Sequence, residues 1–262
     1  MISVTIDGQR VKVEEDSTIL QAADQVGIEI PTLCHHPAME PYAACRICMV
    51  EVVRDGRSEL VTSCNTVVQK GIAVWTRSKR VLAARKMNIE PLIARAPKVK
   101  VIQAMAAQCG IKKTRFPSDH PDEDCILCGL CVRVCETIVG VSAICFANRG
   151  ADRVVATPFD QPSEACIACG ACTYLCPTGS VQMEAETVEL FREHPGKQRE
   201  CRYSLMGILP YALCANSFRC AQCEVDQRFR DHMDTHPIFV ARNVDLDSVS
   251  AYYEFLKRVR KE

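Results

Sequence analysis

The segment Cys125-Ile-Leu-Cys128-Gly-Leu-Cys131-Val-Arg-Val-Cys135 returns 41 residues later as Cys166-Ile-Ala-Cys169-Gly-Ala-Cys172-Thr-Tyr-Leu-Cys176, followed by Pro177. Two copies of C-x2-C-x2-C-x3-C in one chain leave few folds open. Eight thiols at this spacing must be wrapped closely around something compact. The intervening residues are mostly small or apolar, and Gly129 and Gly170 allow the backbone to approach what the thiols hold. An internal duplication is the natural reading.

With 18 cysteines in 262 residues, either disulfides or metal ligation must account for the thiols. Met1 to Gly8 offer no basic or apolar leader toward an oxidising compartment, so a cytoplasmic setting and metal ligation are expected. The duplicated spacing is that of two-cluster ferredoxins, where the fourth cysteine of each run ligates the other 4Fe-4S cluster. One cluster is therefore assigned to Cys125, Cys128, Cys131 and Cys176, and the other to Cys166, Cys169, Cys172 and Cys135. The first run ends in Cys135-Glu136 and so lacks the proline of the second. Thirty-two basic and 32 acidic residues balance, which argues against nucleic acid as a partner. No apolar run approaches the roughly 20 residues that span a bilayer, so no direct membrane insertion is expected.

An α+β chain of four parts is expected. Residues 1–78 read as a β-grasp domain. One hairpin turns at Asp7-Gly8, a short helix is capped by Asp16 or Ser17 and stopped at Gly27, a second hairpin turns at Asp55-Gly56, and a last strand covers 72–76. Cys34, Cys45, Cys48 and Cys64, with spacings of 10, 2 and 15, fall on its long loop and a strand end. Four thiolates there can close around two irons, a 2Fe-2S cluster, with a four-cysteine zinc site as the alternative. Residues 79–118 form a helical connector. Ser78 caps a first helix, kinked or broken at Pro91, and a second helix from about Val99 ends at Gly110. Residues 119–185 are the two-cluster 4Fe-4S ferredoxin-like domain.

Residues 186–262 form a small C-terminal module with a helical tail at 246–259. Its Cys201, Cys214, Cys220 and Cys223, at spacings of 12, 5 and 2, suit either an all-thiolate zinc ion or a further iron-sulfur cluster. His232 and His236 stand at helical i, i+4 spacing, but read as exposed or hydrogen-bonded rather than as ligands. Asn216, Phe218 and Tyr211 read as packing and turn residues. Cys109 and Cys145 read as buried thiols, and Trp75 as core.

The stretch Cys131-Val-Arg-Val-Cys135-Glu-Thr-Ile-Val-Gly140, then Phe146-Ala-Asn-Arg-Gly150, resembles the N-terminal part of the complex I large iron-sulfur (75 kDa-type) subunit. It also resembles the diaphorase small subunit of NAD-linked hydrogenases and relatives in formate dehydrogenases. The likeness covers about residues 1–185. It implies a non-catalytic electron-relay subunit of a multisubunit oxidoreductase. The implied partners are a flavoprotein NAD(P)H-oxidising subunit and a catalytic subunit such as a hydrogenase or formate dehydrogenase. The family also carries a cluster held by one His and three Cys between the two blocks. Here Ala83 to Ile111 contains no histidine and only Cys109, so that cluster is expected to be missing. No nucleotide-binding motif accompanies the thiols, which agrees with conduction rather than organic chemistry. A redox sensor or metal-dependent interaction protein is the alternative.

Overall fold

The computed structural model describes residues 1–118, 121–161, 163–182, 200–214, 216, 219–233 and 235–244. The chain divides into two compact units. The first comprises Met1–His35 and Pro41–Cys128, and the second His36–Glu40 with the described residues from Gly129 onward.

The first unit is built on a five-stranded sheet of order β2-β1-β5-β3-β4. Strands β1 (Ile2–Ile6) and β2 (Gln9–Val13) form an antiparallel hairpin. Asp7 and Gly8 both take positive φ (45° and 85°), the geometry that lets a two-residue turn follow the twist of its strands. The same device, Asp55 and Gly56 at 48° and 74°, joins β3 (Met49–Arg54) to β4 (Arg57–Thr62). Strand β5 (Ala73–Trp75) lies between the hairpins, parallel to β1 and antiparallel to β3. Alternation places Val4, Ile6, Val11, Val13, Val50, Val52 and Val74 on the core side. The same parity turns Trp75 outward, and it is 45% exposed rather than core.

Helix α1 (Ile19–Gln25) closes that core with Ile19, Leu20, Ala22 and Ala23. Its cap is Thr18, not Asp16 or Ser17. Only Thr18 has a glutamine three residues on, and the two complete a capping box: the Thr18 hydroxyl accepts from the Gln21 amide, and the Gln21 side chain accepts from the Thr18 amide at 2.8 Å. The next N–H groups, of Ile19 and Leu20, donate to the carbonyls of Thr66 and Ser63. The start of α1 thereby fixes the loop that follows Cys64.

Helix α2 (Lys79–Arg95) is capped by Ser78 and continues through Pro91 instead of breaking there. Two contacts to the residue before the proline hold it: the Thr114 hydroxyl donates to the Glu90 carbonyl at 3.0 Å, and Arg115 pairs with the Glu90 carboxylate at 2.9 Å. Helix α3 (Lys100–Gln108) packs against α2, and Gly110 beyond it takes a left-handed φ of 67°.

In the second unit α4 (Leu130–Arg133) runs into a π-helical turn, Val134–Val139. A hairpin of β6 (Cys145–Ala147) and β7 (Val154–Ala156) follows, then α5 (Ala171–Leu175). Three further helices close the described part: α6 (Arg202–Leu205), α7 (Glu224–His232) and α8 (Pro237–Ala241). His232 ends α7 and His236 caps α8, so the two histidines do not share one helix face. Cys109 and Cys145 are half-buried rather than buried, and Tyr211 is 75% exposed and packs little. Phe218 and the expected helix at 246–259 lie outside the described residues. Among the described residues no helix is long and apolar enough to cross a membrane.

Ile19 is fully buried under the sheet. Ile19→Ala should cost about 3 kcal/mol in chemical denaturation. Thr18→Ala, which removes only the cap, should cost about 1 kcal/mol.

Candidate iron-sulfur sites

The long loop between α1 and β3 carries Cys34, Cys45 and Cys48, and Cys64 follows β4 after Ser63. Cys34, Cys48 and Cys64 are each 1% exposed. The thiols meet in two hydrogen-bonded pairs, Cys34 with Cys45 and Cys48 with Cys64, and the pairs lie within electrostatic reach of each other. Backbone amides point at the sulfurs as well: the Cys45 amide donates to Cys34 Sγ at 3.4 Å. Two residues make the loop tight enough for this, Ala43 and Arg46, both left-handed at φ 54° and 57°.

Proton sharing splits the thiols electrostatically. Hydrogen bonding to Cys34, then burial, raises Cys45. Hydrogen bonding to Cys48, then burial, raises Cys64, while Cys48, which accepts from Cys64, is lowered to about 7. A bound iron would displace these protons, because a coordinating thiol is deprotonated outright.

The neighbouring elements hold the loop by its carbonyls. Arg85 of α2, 6% exposed, donates from Nε to the Ile47 carbonyl at 3.1 Å and from a terminal nitrogen to the Met49 carbonyl at 2.9 Å. Asn88, about one turn further, donates to the Arg46 carbonyl at 2.9 Å. The Ser63 amide donates to the Cys48 carbonyl at 3.0 Å. Near its C-terminal end the same helix reaches another cysteine loop, where Arg95 Nε donates to the Cys125 carbonyl at 2.8 Å. The binary pattern gave no signal for Arg85, Asn88 or Arg95. A basic residue on a helix ordinarily reads as a solvated face.

The duplicated runs repeat in conformation as well as in sequence. The residue before the second cysteine is left-handed in both, Leu127 at φ 53° and Ala168 at 50°. So is the glycine after it, Gly129 at 78° and Gly170 at 80°, and each glycine starts a short helix. Left-handed residues interleaved in a turn aim successive N–H groups inward, a nest suited to phosphate or to an anionic iron-sulfur core. Cys131 lies on α4 and Cys135 in the π-helical turn, Cys172 lies on α5, and Cys176 follows it.

Within the second unit, Cys135 of the first repeat lies within electrostatic reach of Cys169 and Cys172 of the second, beside Cys166. Burial pushes Cys169 up to about 12 and raises Cys172. Amides again face sulfur, from Ala143 to Cys135 Sγ at 3.2 Å and from Ala168 to Cys166 Sγ at 3.4 Å. Cys176 Sγ stands 3.4 Å from the Thr178 hydroxyl oxygen.

Residues 1–79 match a family described as a 2Fe-2S iron-sulfur cluster binding domain. The chain is 34% identical over 180 residues to NADPH-Fe(3+) oxidoreductase subunit alpha of Geobacter sulfurreducens, a match covering 60% of this chain and 21% of that one. It is 29% identical over 181 residues to the mitochondrial NADH-ubiquinone oxidoreductase 78 kDa subunit of Candida albicans, covering 60% and 25%. The crystal structure of an NAD+-reducing NiFe hydrogenase in the H2-reduced state superposes with a TM-score of 0.52 at 28% identity, covering 60% of this chain and 74% of that one. The resemblance read from the cysteine runs is borne out by these likenesses. The chain spans between a fifth and a quarter of the length of the two curated relatives.

Removing Arg85 leaves the Ile47 and Met49 carbonyls without their donor. Arg85→Met should destabilise the first unit by roughly 3 kcal/mol, read as a lowered denaturant midpoint, and Arg85→Lys should recover only part of it because one ammonium cannot reproduce the fork.

Proposed function

We propose that this chain, an iron-sulfur electron-transfer region homologous to subunits of NADH- and NADPH-linked oxidoreductases and of a hydrogenase, relays single electrons through one 2Fe-2S and two 4Fe-4S clusters. The observation that carries the reading is the gathering of buried thiols at amide-lined loops, twice in one repeated left-handed conformation. Such loops suit a resident anionic cluster that exchanges electrons without rearranging.

Cys34 with Cys45 on one iron and Cys48 with Cys64 on the other fits the way those four thiols pair. Cys135 completes the cluster of Cys166, Cys169 and Cys172, a reading its nearness to Cys169 and Cys172 supports. By the symmetry of the repeat, Cys176 completes the set of Cys125, Cys128 and Cys131. Bound clusters supply one-electron redox chemistry, and the chain's residues bury them, turn amides to their sulfurs and fix their spacing.

Helix α2 bears on the route between the clusters. Arg85 holds the Cys45–Cys48 loop and Arg95 the Cys125 loop, ten residues apart on one helix, or about 15 Å along its axis. That spacing favours direct passage from the 2Fe-2S site to the loop of the next cluster. The partners on this reading are a flavoprotein that oxidises NAD(P)H and a catalytic oxidoreductase subunit in the cytoplasm.

The test is a redox titration of the full chain followed by low-temperature EPR, with metal analysis. One 2Fe-2S signal and two 4Fe-4S signals are expected, amounting to about ten irons in these sites. All should be reduced by an NAD(P)H-oxidising flavoprotein. Clusters that this donor cannot reduce would overturn the relay reading. Cys176→Ser should abolish the signal of the cluster built on Cys125, Cys128 and Cys131 and spare the other, whereas the opposite loss would refute the crossed ligation.

A further inference from the structure

Cys201, Cys214, Cys220 and Cys223 lie outside the three cluster sites, yet the fold gathers them. An antiparallel bridge joins Glu200 to Leu213, and the Cys201 amide donates to the Ala212 carbonyl at 2.8 Å. In that register Cys201 stands opposite Ala212. Cys214, two residues beyond Ala212, falls on the same face as the diagonal neighbour of Cys201. Cys220 and Cys223 bound a tight turn, with the Cys223 amide donating to the Cys220 carbonyl at 2.9 Å, and Cys223 is the residue from which α7 starts.

A buried polar lock draws the two halves together. Asp226 of α7, 1% exposed, is paired with Arg202, the residue after Cys201, and accepts from the Tyr203 hydroxyl at 2.8 Å. Tyr203 in turn stacks on Phe229 of α7, with ring centroids 4.4 Å apart. Cys220 consequently lies within electrostatic reach of Cys214 and Cys201, with the Arg202 guanidinium beside it. Four thiols on two turns, next to a cation, offer all-thiolate chemistry for a soft metal, although among the described residues no three donors yet stand where they could hold one. The described helices here have four, nine and five residues, and a metal held between their turns would staple them together.

The module also touches a cluster loop. His236 Nε2 lies 2.9 Å from the Cys169 carbonyl oxygen, and its Nδ1 accepts from the Ile238 amide at 3.3 Å. The second contact fixes the tautomer: Nδ1 accepts, so the Nε2–H donates to Cys169. The Tyr174 ring flanks His236 at 5.1 Å, and Arg242 donates to the Val139 carbonyl at 3.3 Å.

We infer that Cys201, Cys214, Cys220 and Cys223 hold a fourth, all-thiolate metal centre, and that this centre folds the segment that seats His236 on the loop of the Cys166 run. His236 is a positioning residue: its hydrogen bond sets the Cys169 carbonyl dipole beside the cluster that this loop holds on the relay reading. Zinc and a 4Fe-4S cluster share the donor chemistry, and metal counting separates them.

Iron and zinc are measured on the full chain and on the Cys201→Ser/Cys223→Ser variant, with EPR of both. The wild type should carry either about one zinc or about four irons more than the variant. Equal metal content in the two proteins overturns the centre. Should the variant fail to fold, X-ray absorption at both metal edges of the wild type decides instead. Zinc ligated by four sulfurs, or iron beyond the number accounted for by the three relay signals, supports the centre, and neither overturns it. His236→Gln should retain that extra metal and shift the midpoint of one 4Fe-4S signal, leaving the 2Fe-2S midpoint unmoved. An unchanged 4Fe-4S midpoint overturns the positioning role. The difference in metal between wild type and variant stands even if the relay signals are missing, so failure of the relay reading shows separately in the EPR.

Discussion

A backbone amide turned toward a cysteine sulfur is the interaction around which this chain is arranged. Sulfurs crowded together in a buried place need hydrogen-bond donors to answer the negative charge they take on when deprotonated. The amides of Cys45, Ala143 and Ala168 point at Cys34, Cys135 and Cys166. Turning amides inward demands left-handed backbone, and Ala43, Arg46, Leu127 and Ala168 accept that strain without being glycine. They can do so only because surrounding elements over-determine the loops.

Those elements are the β-grasp sheet and helix α2. The sheet sets the ends of the first loop, and α1 fixes the stretch after Cys64 through its own unsatisfied N–H groups. Helix α2 then takes hold of the loop carbonyls with Arg85 and Asn88. Burial works against the charge of Arg85, lowering its pKa, while Cys109 and Cys48 oppose that effect. A guanidinium kept there places a fixed positive charge near the first site, one of the levers by which protein sets a cluster's potential.

Much of the fold was legible because its signals are local. Asp7-Gly8 and Asp55-Gly56 announce their hairpins, and the duplicated cysteine spacing announces its loops. The misreadings arose where tertiary context decides. Asp16 and Ser17 are good caps by type, but the capping box needs the residue three positions on, and only Thr18 has it. Pro91 should interrupt a helix in isolation, and here Thr114 and Arg115 brace it. Trp75 is apolar, yet strand parity sends it outward once Val74 faces the core. Arg85 and His236 were illegible as site residues because their partners are carbonyls, 38 and 67 residues away in sequence, and carbonyls leave no pattern in side-chain identity.

The π-helical turn after α4 has no counterpart in the second repeat. There the widened turn lets the Cys135 carbonyl accept three successive amides, from Gly140, Val141 and Ser142. In the second repeat the helix stops before Pro177, and a hydroxyl stands by the Cys176 sulfur. Two copies of one unit have thus lost their equivalence at the fourth cysteine. On the relay reading, centres bedded in unlike turns hold an electron unequally, so the duplication yields two stations of different potential, while the donor and acceptor at the ends set the sense of the current.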